Sequence, residues 1–69
     1  MDIQKARAIL MVLYNTGEFS RSFLRTKRDL SESEINYLID EGYIIFCGFN
    51  TVREELYCVS EKGNAFWRY

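Results

Sequence analysis

The segment 30–42 constrains the fold of this chain most, because it contains the start, the buried face and the end of one helix. Ser31 and Glu34 have the spacing of a capping box, in which each side chain satisfies a backbone N–H of the other residue. The apolar residues of the segment share one helical face: Ile35, Leu38 and Ile39. We therefore predict a helix over about 31–41 that stops at Gly42.

The rest of this helix is acidic and carries no base. Glu32 and Glu34 lie in the first turn, where the helix dipole favours anions. Asp40 and Glu41 lie in the last turn, where the dipole disfavours them. We therefore expect these two carboxylates either to form a salt bridge within the fold, for example to a base of the preceding helix, or to face a cationic partner.

The N-terminal segment predicts a first helix over about 2–15, capped by Asp2. Its main apolar face has three- and four-residue spacing: Ile3, Ala6, Ile9, Leu10, Leu13 and Tyr14. Three further apolar residues lie away from that face: Ala8, Met11 and Val12. This second apolar side needs a partner, which is either the C-terminal segment of the same chain or a second subunit.

A short second helix is predicted over 21–28, with Ser20 as its N-cap. It holds four of the nine bases of the protein: Arg21, Arg25, Lys27 and Arg28. Two interpretations stand side by side. The bases either form a solvated face or bind the phosphates of a nucleic acid.

The remaining pattern predicts a β-hairpin and a last helix. Aromatic and β-branched residues fill 43–49 and 55–59, and a polar stretch separates these two segments. Ser60 can cap a helix over 61–68, which carries large aromatic residues. The predicted order is helix, helix, helix, hairpin, helix, within a single domain of residues 1–69.

Two runs of sequence, INYLIDEGYI and VSEKGNAFW, resemble parts of the winged-helix regulators of the MarR and PadR groups. The residues that fit their patterns are Leu38, Gly42 and Ile44 in the first run and Ser60, Gly63 and Phe66 in the second. The resemblance implies an α+β winged helix-turn-helix fold, with a three-helix bundle followed by a two-stranded β-hairpin wing and a short C-terminal helix.

The same resemblance implies a small DNA-binding transcriptional regulator that uses the third helix and the wing over 43–59. Base contacts would come from Ser33, Asn36 and Tyr37. Phosphate contacts would come from Arg21, Arg25, Lys27, Arg28 and Arg53. Because a module of this size offers few contacts, we expect a homodimer on double-stranded DNA, with Ala8, Met11 and Val12 as the dimer seam.

The acidic third helix supports a competing hypothesis. In it the domain is a winged-helix protein-interaction module that docks through the acidic third helix, with Asp40 and Glu41, and through the aromatic hairpin. Such a module would modulate another regulator or mimic DNA. The mimic version is the weaker one, because dedicated DNA mimics need a dominant negative field and this chain has a net charge of −1.

The composition argues against several other classes of protein. The chain has no histidine and no glycine-rich phosphate loop, so we predict no enzymatic activity, no metal and no cofactor. No apolar run has the length of a membrane span, and we expect a cytoplasmic protein.

Cys47 and Cys58 are expected to be buried thiols rather than a disulfide, although they fall on the two arms of the hairpin. Glu54 and Glu55 are expected only to solvate the wing.

Overall fold

A computed structural model describes all residues 1–69 as a small α+β domain with four helices and a three-stranded antiparallel sheet. The elements follow one another as α1 (Ile3–Thr16), β1 (Phe19–Ser20), α2 (Arg21–Thr26), α3 (Glu32–Asp40), β2 (Ile44–Phe49), β3 (Glu55–Val59) and α4 (Glu61–Arg68). No helix has the length and apolar character needed to cross a membrane.

Side-chain caps set the starts of the helices, as the sequence predicts. Asp2, Ser20, Ser31 and Ser60 each accept a hydrogen bond from a backbone N–H of the first turn that follows them. At α3 the capping box is complete, because Glu34 also accepts from the backbone N–H of Ser31 at 3.0 Å. Helix α2 is two residues shorter than predicted, since it ends at Thr26 rather than at residue 28.

The sheet has one more strand than the two-stranded hairpin that we predicted. The strand order is β1-β3-β2, and β1 pairs with β3 through Phe19 opposite Tyr57 and Ser20 opposite Leu56. The prediction missed β1 because two residues are too few to show alternation, and the strand depends on a partner far along the chain. The short strand fixes the start of α2 beside the hairpin.

The core lies between α1, α2, α3 and the base of the sheet. The side chains with almost no exposed surface are Leu10, Leu13, Leu24, Ile35, Leu38 and Ile44. Aromatic residues surround them, and the rings of Tyr43 and Phe66 stack with their centroids 4.5 Å apart. Helix α4 packs mainly on α1, which places Trp67 beside Tyr14.

Ser60 connects three elements at the base of the hairpin. Its hydroxyl donates to the carbonyl oxygens of Gly42 and Tyr43 and accepts from the N–H of Gly63. Gly63 is buried against the Tyr43 carbonyl, and a Cβ at this position would overlap that oxygen. The close approach therefore requires glycine.

Cys47 and Cys58 form a disulfide, so the expectation of two buried free thiols is wrong. Cys47 is exposed, and it lies at an irregularity of the ladder, where Phe46 pairs with Tyr57 but Gly48 pairs with Leu56. The extra residue on β2 is a β-bulge. The bridge ties β2 to β3 at that bulge, on the sheet face opposite Phe46.

Candidate interaction surface

The bases of α2 are engaged with α3. Glu32 forms ion pairs with Arg21 at 3.0 Å and with Arg25 at 3.1 Å. Arg21 also donates to the Oδ1 atom of Asn36 at 2.6 Å. Two of the proposed phosphate-binding residues therefore share Glu32, and one of them also holds Asn36, a proposed base-reading residue. Exposed ion pairs are worth about 0 to 1 kcal/mol, so a stronger anion can displace Glu32.

Glu34 is neutralised in the same way from α1. Lys5 Nζ lies 2.7 Å from its carboxylate, and the hydrogen bond from Lys5 together with that from the Ser31 backbone lowers the pKa of Glu34. The same contact raises the pKa of Lys5. Both acids in the first turn of α3 thus have partners within the fold.

Asp40 and Glu41 have no such partners. Both residues are exposed, and neither carboxylate forms an ion pair. Lys62 approaches the end of α3, but its Nζ donates to the backbone carbonyl of Glu41, at 2.6 Å. The expected salt bridge to a base of α2 is absent. We expected these acids either to form a salt bridge within the fold or to face a cationic partner, and the structure leaves both carboxylates exposed without a salt bridge.

The other proposed nucleic-acid contacts lie apart from one another. Ser33 is exposed, and Tyr37 is half-buried with its ring against Tyr43. Lys27 and Arg28 are exposed at the end of α2, and the Arg28 guanidinium lies 5.6 Å from the centre of the Phe23 ring. Arg53 lies in the turn of the hairpin, with a positive φ of 67°. None of the last three cations contacts a carboxylate.

The hairpin turn is an ordered structure held by Asn50 and Glu54. The Asn50 side chain accepts from the backbone N–H groups of Val52 and Glu54 and donates to the Glu54 carboxylate at 3.0 Å. The same carboxylate accepts from the Ser22 hydroxyl at 2.9 Å, and these bonds lower the pKa of Glu54. Glu54 therefore fastens the turn to α2, which is more than the solvation we expected of it.

Beyond its buried base, the hairpin exposes large apolar side chains. We call four of them the hairpin patch: Ile45, Phe46, Phe49 and Val52, with 48%, 51%, 61% and 70% of their surface exposed. Phe46 and Phe49 lie on one face, with ring centroids 5.3 Å apart. Ile45 pairs with Cys58 and lies on the other face, beside the disulfide.

The sequence placed Ile45, Phe46 and Phe49 in a strand and indicated that the aromatic hairpin could dock on a protein, but it put Val52 in the polar turn and did not show which of these side chains are exposed. A buried strand face can be recognised from the sequence when apolar and polar residues alternate, but 43–49 is apolar at nearly every position. That continuous apolar run was the available sign, because a hairpin with one solvated face normally shows polar residues at every second position.

The proposed dimer seam on α1 is only partly exposed. Ala8 is exposed, Met11 exposes 44% of its surface and Val12 is half-buried. Neighbouring apolar side chains on the same helix, Ile3 and Tyr14, are also exposed. The seam therefore stays an available surface in addition to the hairpin patch.

The structure contains no enclosed pocket and no group of residues suited to hold a metal ion. No family model, no curated protein and no solved structure matches this chain at a significant level.

Proposed function

We propose that this chain is a protein-interaction module of the winged-helix type, whose contact surface is the hairpin patch. Three helices followed by a hairpin, in the order that the sequence resemblance implies, support the winged-helix assignment. The single observation that carries the functional proposal is the exposure of Ile45, Phe46, Phe49 and Val52 together on one hairpin.

Exposed apolar residues that occur singly are common, whereas a contiguous apolar area marks an interaction site, and the rings of Phe46 and Phe49 provide one because they lie together on one face of the hairpin. Aromatic residues are enriched at protein interfaces, where they bury large areas at little entropic cost. The charges also favour a protein partner over DNA, because Asp40 and Glu41 are unpaired and repel a phosphate backbone. A partner that offers apolar groups to the patch, with a base near the end of α3, fits this surface.

Photo-crosslinking tests the proposal. A benzophenone amino acid replaces Phe49 in one variant and Glu18, which is exposed between α1 and β1, in the control. After irradiation in expressing cells, we expect the variant at Phe49 to form a discrete covalent adduct with protein and the variant at Glu18 to form none. Absence of a protein adduct at Phe49 would refute the proposal.

DNA binding is the second candidate, and the free cations favour it. Lys27, Arg28 and Arg53 have no carboxylate partner, and Ser33 is exposed on the neighbouring helix. In this alternative, phosphates displace Glu32 from Arg21 and Arg25. Fluorescence anisotropy with labelled duplex DNA tests it, because phosphate contacts make affinity fall steeply between about 50 and 200 mM salt. No binding at the lower salt concentration eliminates this candidate.

A further inference from the structure

We propose that the disulfide between Cys47 and Cys58 is a thiol-exchange site through which a small thiol such as glutathione regulates the hairpin patch. This inference rests on the proposed function, since it concerns the regulation of the same surface. The bridge fixes the β-bulge that brings Phe46 and Phe49 to one face, and its reduction allows that bulge to be lost.

The bulge determines the face on which Phe49 lies. Phe46 and Phe49 are three positions apart, so a regular strand would place them on opposite faces of the sheet. Their ring centroids nevertheless lie 5.3 Å apart on one face. The register explains this, because β2 has Cys47 as an extra residue before Gly48, which pairs with Leu56. The contiguous aromatic area therefore exists only in the bulged register.

The disulfide is the contact that locks the bulge. Gly48 permits it, with a φ of 149° that residues with a side chain rarely adopt, but glycine is free to adopt many other conformations. The bulged residue itself carries the crosslink, since Cys47 is bonded to Cys58 on β3. The bridge holds the Cα atoms of these two residues 6.2 Å apart. While it is intact, this part of β2 cannot slide along β3.

The outer part of β2 is the part of the hairpin that can change register after reduction. β3 is held on both sides by strands, and Glu54, just before it, bonds to Ser22. The base of β2 is also fixed, since Ile44 is buried in the core. The residues beyond Phe46 have only β3 beside them. A shift of this outer part by one position turns Phe49 to the opposite face.

The shifted register is an ordinary hairpin. Its turn would span 50–53 instead of 51–53, and both lengths are common in hairpins. The shift converts the bulged residue into a regular pair, but it gives up the hydrogen bonds between Asn50 and Glu54. We therefore expect the reduced protein to populate both registers, and the oxidised protein only the bulged one.

Cys47 is the cysteine that a thiol reaches first. It is exposed, whereas Cys58 is half-buried, and exposed disulfides are the ones that exchange readily. A glutathione thiolate attacks the Cys47 sulfur, the bond between the two cysteines breaks, and Cys58 leaves as a thiolate that takes a proton from water. A second glutathione thiolate attacks the glutathione sulfur of this mixed disulfide and releases Cys47. Two glutathione thiols are thereby oxidised to one disulfide, and the protein disulfide is reduced to two thiols.

Peptide mapping tests the site of exchange. The purified protein is treated briefly with glutathione, the freed thiol is alkylated with a maleimide, and trypsin separates the two cysteines by cleaving after Arg53. We expect glutathione on the peptide with Cys47 and the maleimide on the peptide with Cys58. Glutathione found mainly on Cys58 overturns the inference, as does a bridge that resists an excess of glutathione.

Proton NMR tests the change of register at about 10 °C, near the temperature of maximum stability of small domains. Oxidised protein should show a cross-peak between the rings of Phe46 and Phe49. In excess glutathione, with reduction verified by intact mass, this cross-peak should fall to about half or less, because two registers share the population. A new cross-peak should join the Phe49 ring to the Leu56 methyl groups. The stacked rings of Tyr43 and Phe66 are the control, and their cross-peak should not change.

The double variant Cys47→Ser/Cys58→Ser should give the spectrum of the reduced protein with or without glutathione. An unchanged contact between the two Phe rings in protein whose mass verifies reduction overturns the inference. Loss of both ring pairs also overturns it, because the bridge would then hold the whole domain rather than the patch. These measurements need no partner, so a missing crosslink from Phe49 in cells would refute the proposed function and leave them unaffected.

Discussion

Removal of the disulfide should cost this domain much of its stability. Cys47 and Cys58 are 11 residues apart. In the chain-entropy model a crosslink over this separation restricts the unfolded chain by about 2.8 kcal/mol at 25 °C. A single core in a chain of this size supplies about 3 to 5 kcal/mol of net stability. The bridge is therefore comparable in free energy to the net stability that the core leaves after the entropy cost of folding.

For a domain of this length, 1 kcal/mol shifts the unfolding midpoint by about 4 to 8 °C, so reduction should lower it by about 10 to 25 °C. Circular dichroism during heating, with and without a phosphine reductant, measures the shift. Intact mass before heating verifies that the bridge is present.

The double variant Cys47→Ser/Cys58→Ser is the matched control, and its midpoint should equal that of the reduced wild type and ignore the reductant. A decrease below about 4 °C in protein whose mass verifies the bridge would refute the reasoning. The disulfide would then not stabilise the domain by restricting the unfolded chain.

Three further changes test the local structure. Gly63→Ala should destabilise the domain by about 1 to 3 kcal/mol in urea unfolding, because the new methyl group overlaps a backbone carbonyl; an unchanged midpoint would mean that α4 shifts freely. Ser31→Ala should cost about 1 kcal/mol through loss of the N-cap, whereas the exposed neighbour Ser33→Ala should cost less than half as much; equal losses would contradict the cap. Wild type should be more stable than Glu34→Gln near neutral pH, and this difference should shrink as the pH falls below the ordinary carboxyl range. The reason is that Lys5 lowers the pKa of Glu34 in the folded state and protonation removes that contact. Urea titrations at several pH values measure the difference, and a difference independent of pH would contradict the ion pair.

Local chemistry explains which parts of the fold were predictable. The start of α3 followed from Ser31 and Glu34, which lie within one turn and need no distant partner. The strand β1 did not, because Phe19 becomes part of a strand only by pairing with Tyr57, 38 residues further along. The disulfide lies at the bulge at Cys47, and spacing alone does not show where a ladder is interrupted.

The candidate surface was predictable to a smaller extent. The sequence showed which charges lie on each helix, but not that Glu32 meets both Arg21 and Arg25 across two helices. Asp40 was recognised as an anomaly from the helix dipole, yet only the packing of α3 shows that it stays unpaired. Exposure of Phe46 and Phe49 likewise depends on how far the hairpin extends beyond the core.

Ser60 and Glu54 have a consequence for the motion of the hairpin. Ser60 fastens its base to the end of α3, and Glu54 fastens its turn to Ser22 at the start of α2. An element held at both ends opens only when both contacts break, and opening at the base also exposes a backbone carbonyl that accepts a hydrogen bond in the native state. The hairpin should thus unfold with the helices as one cooperative unit, so that a ligand bound at its tip stabilises the entire chain.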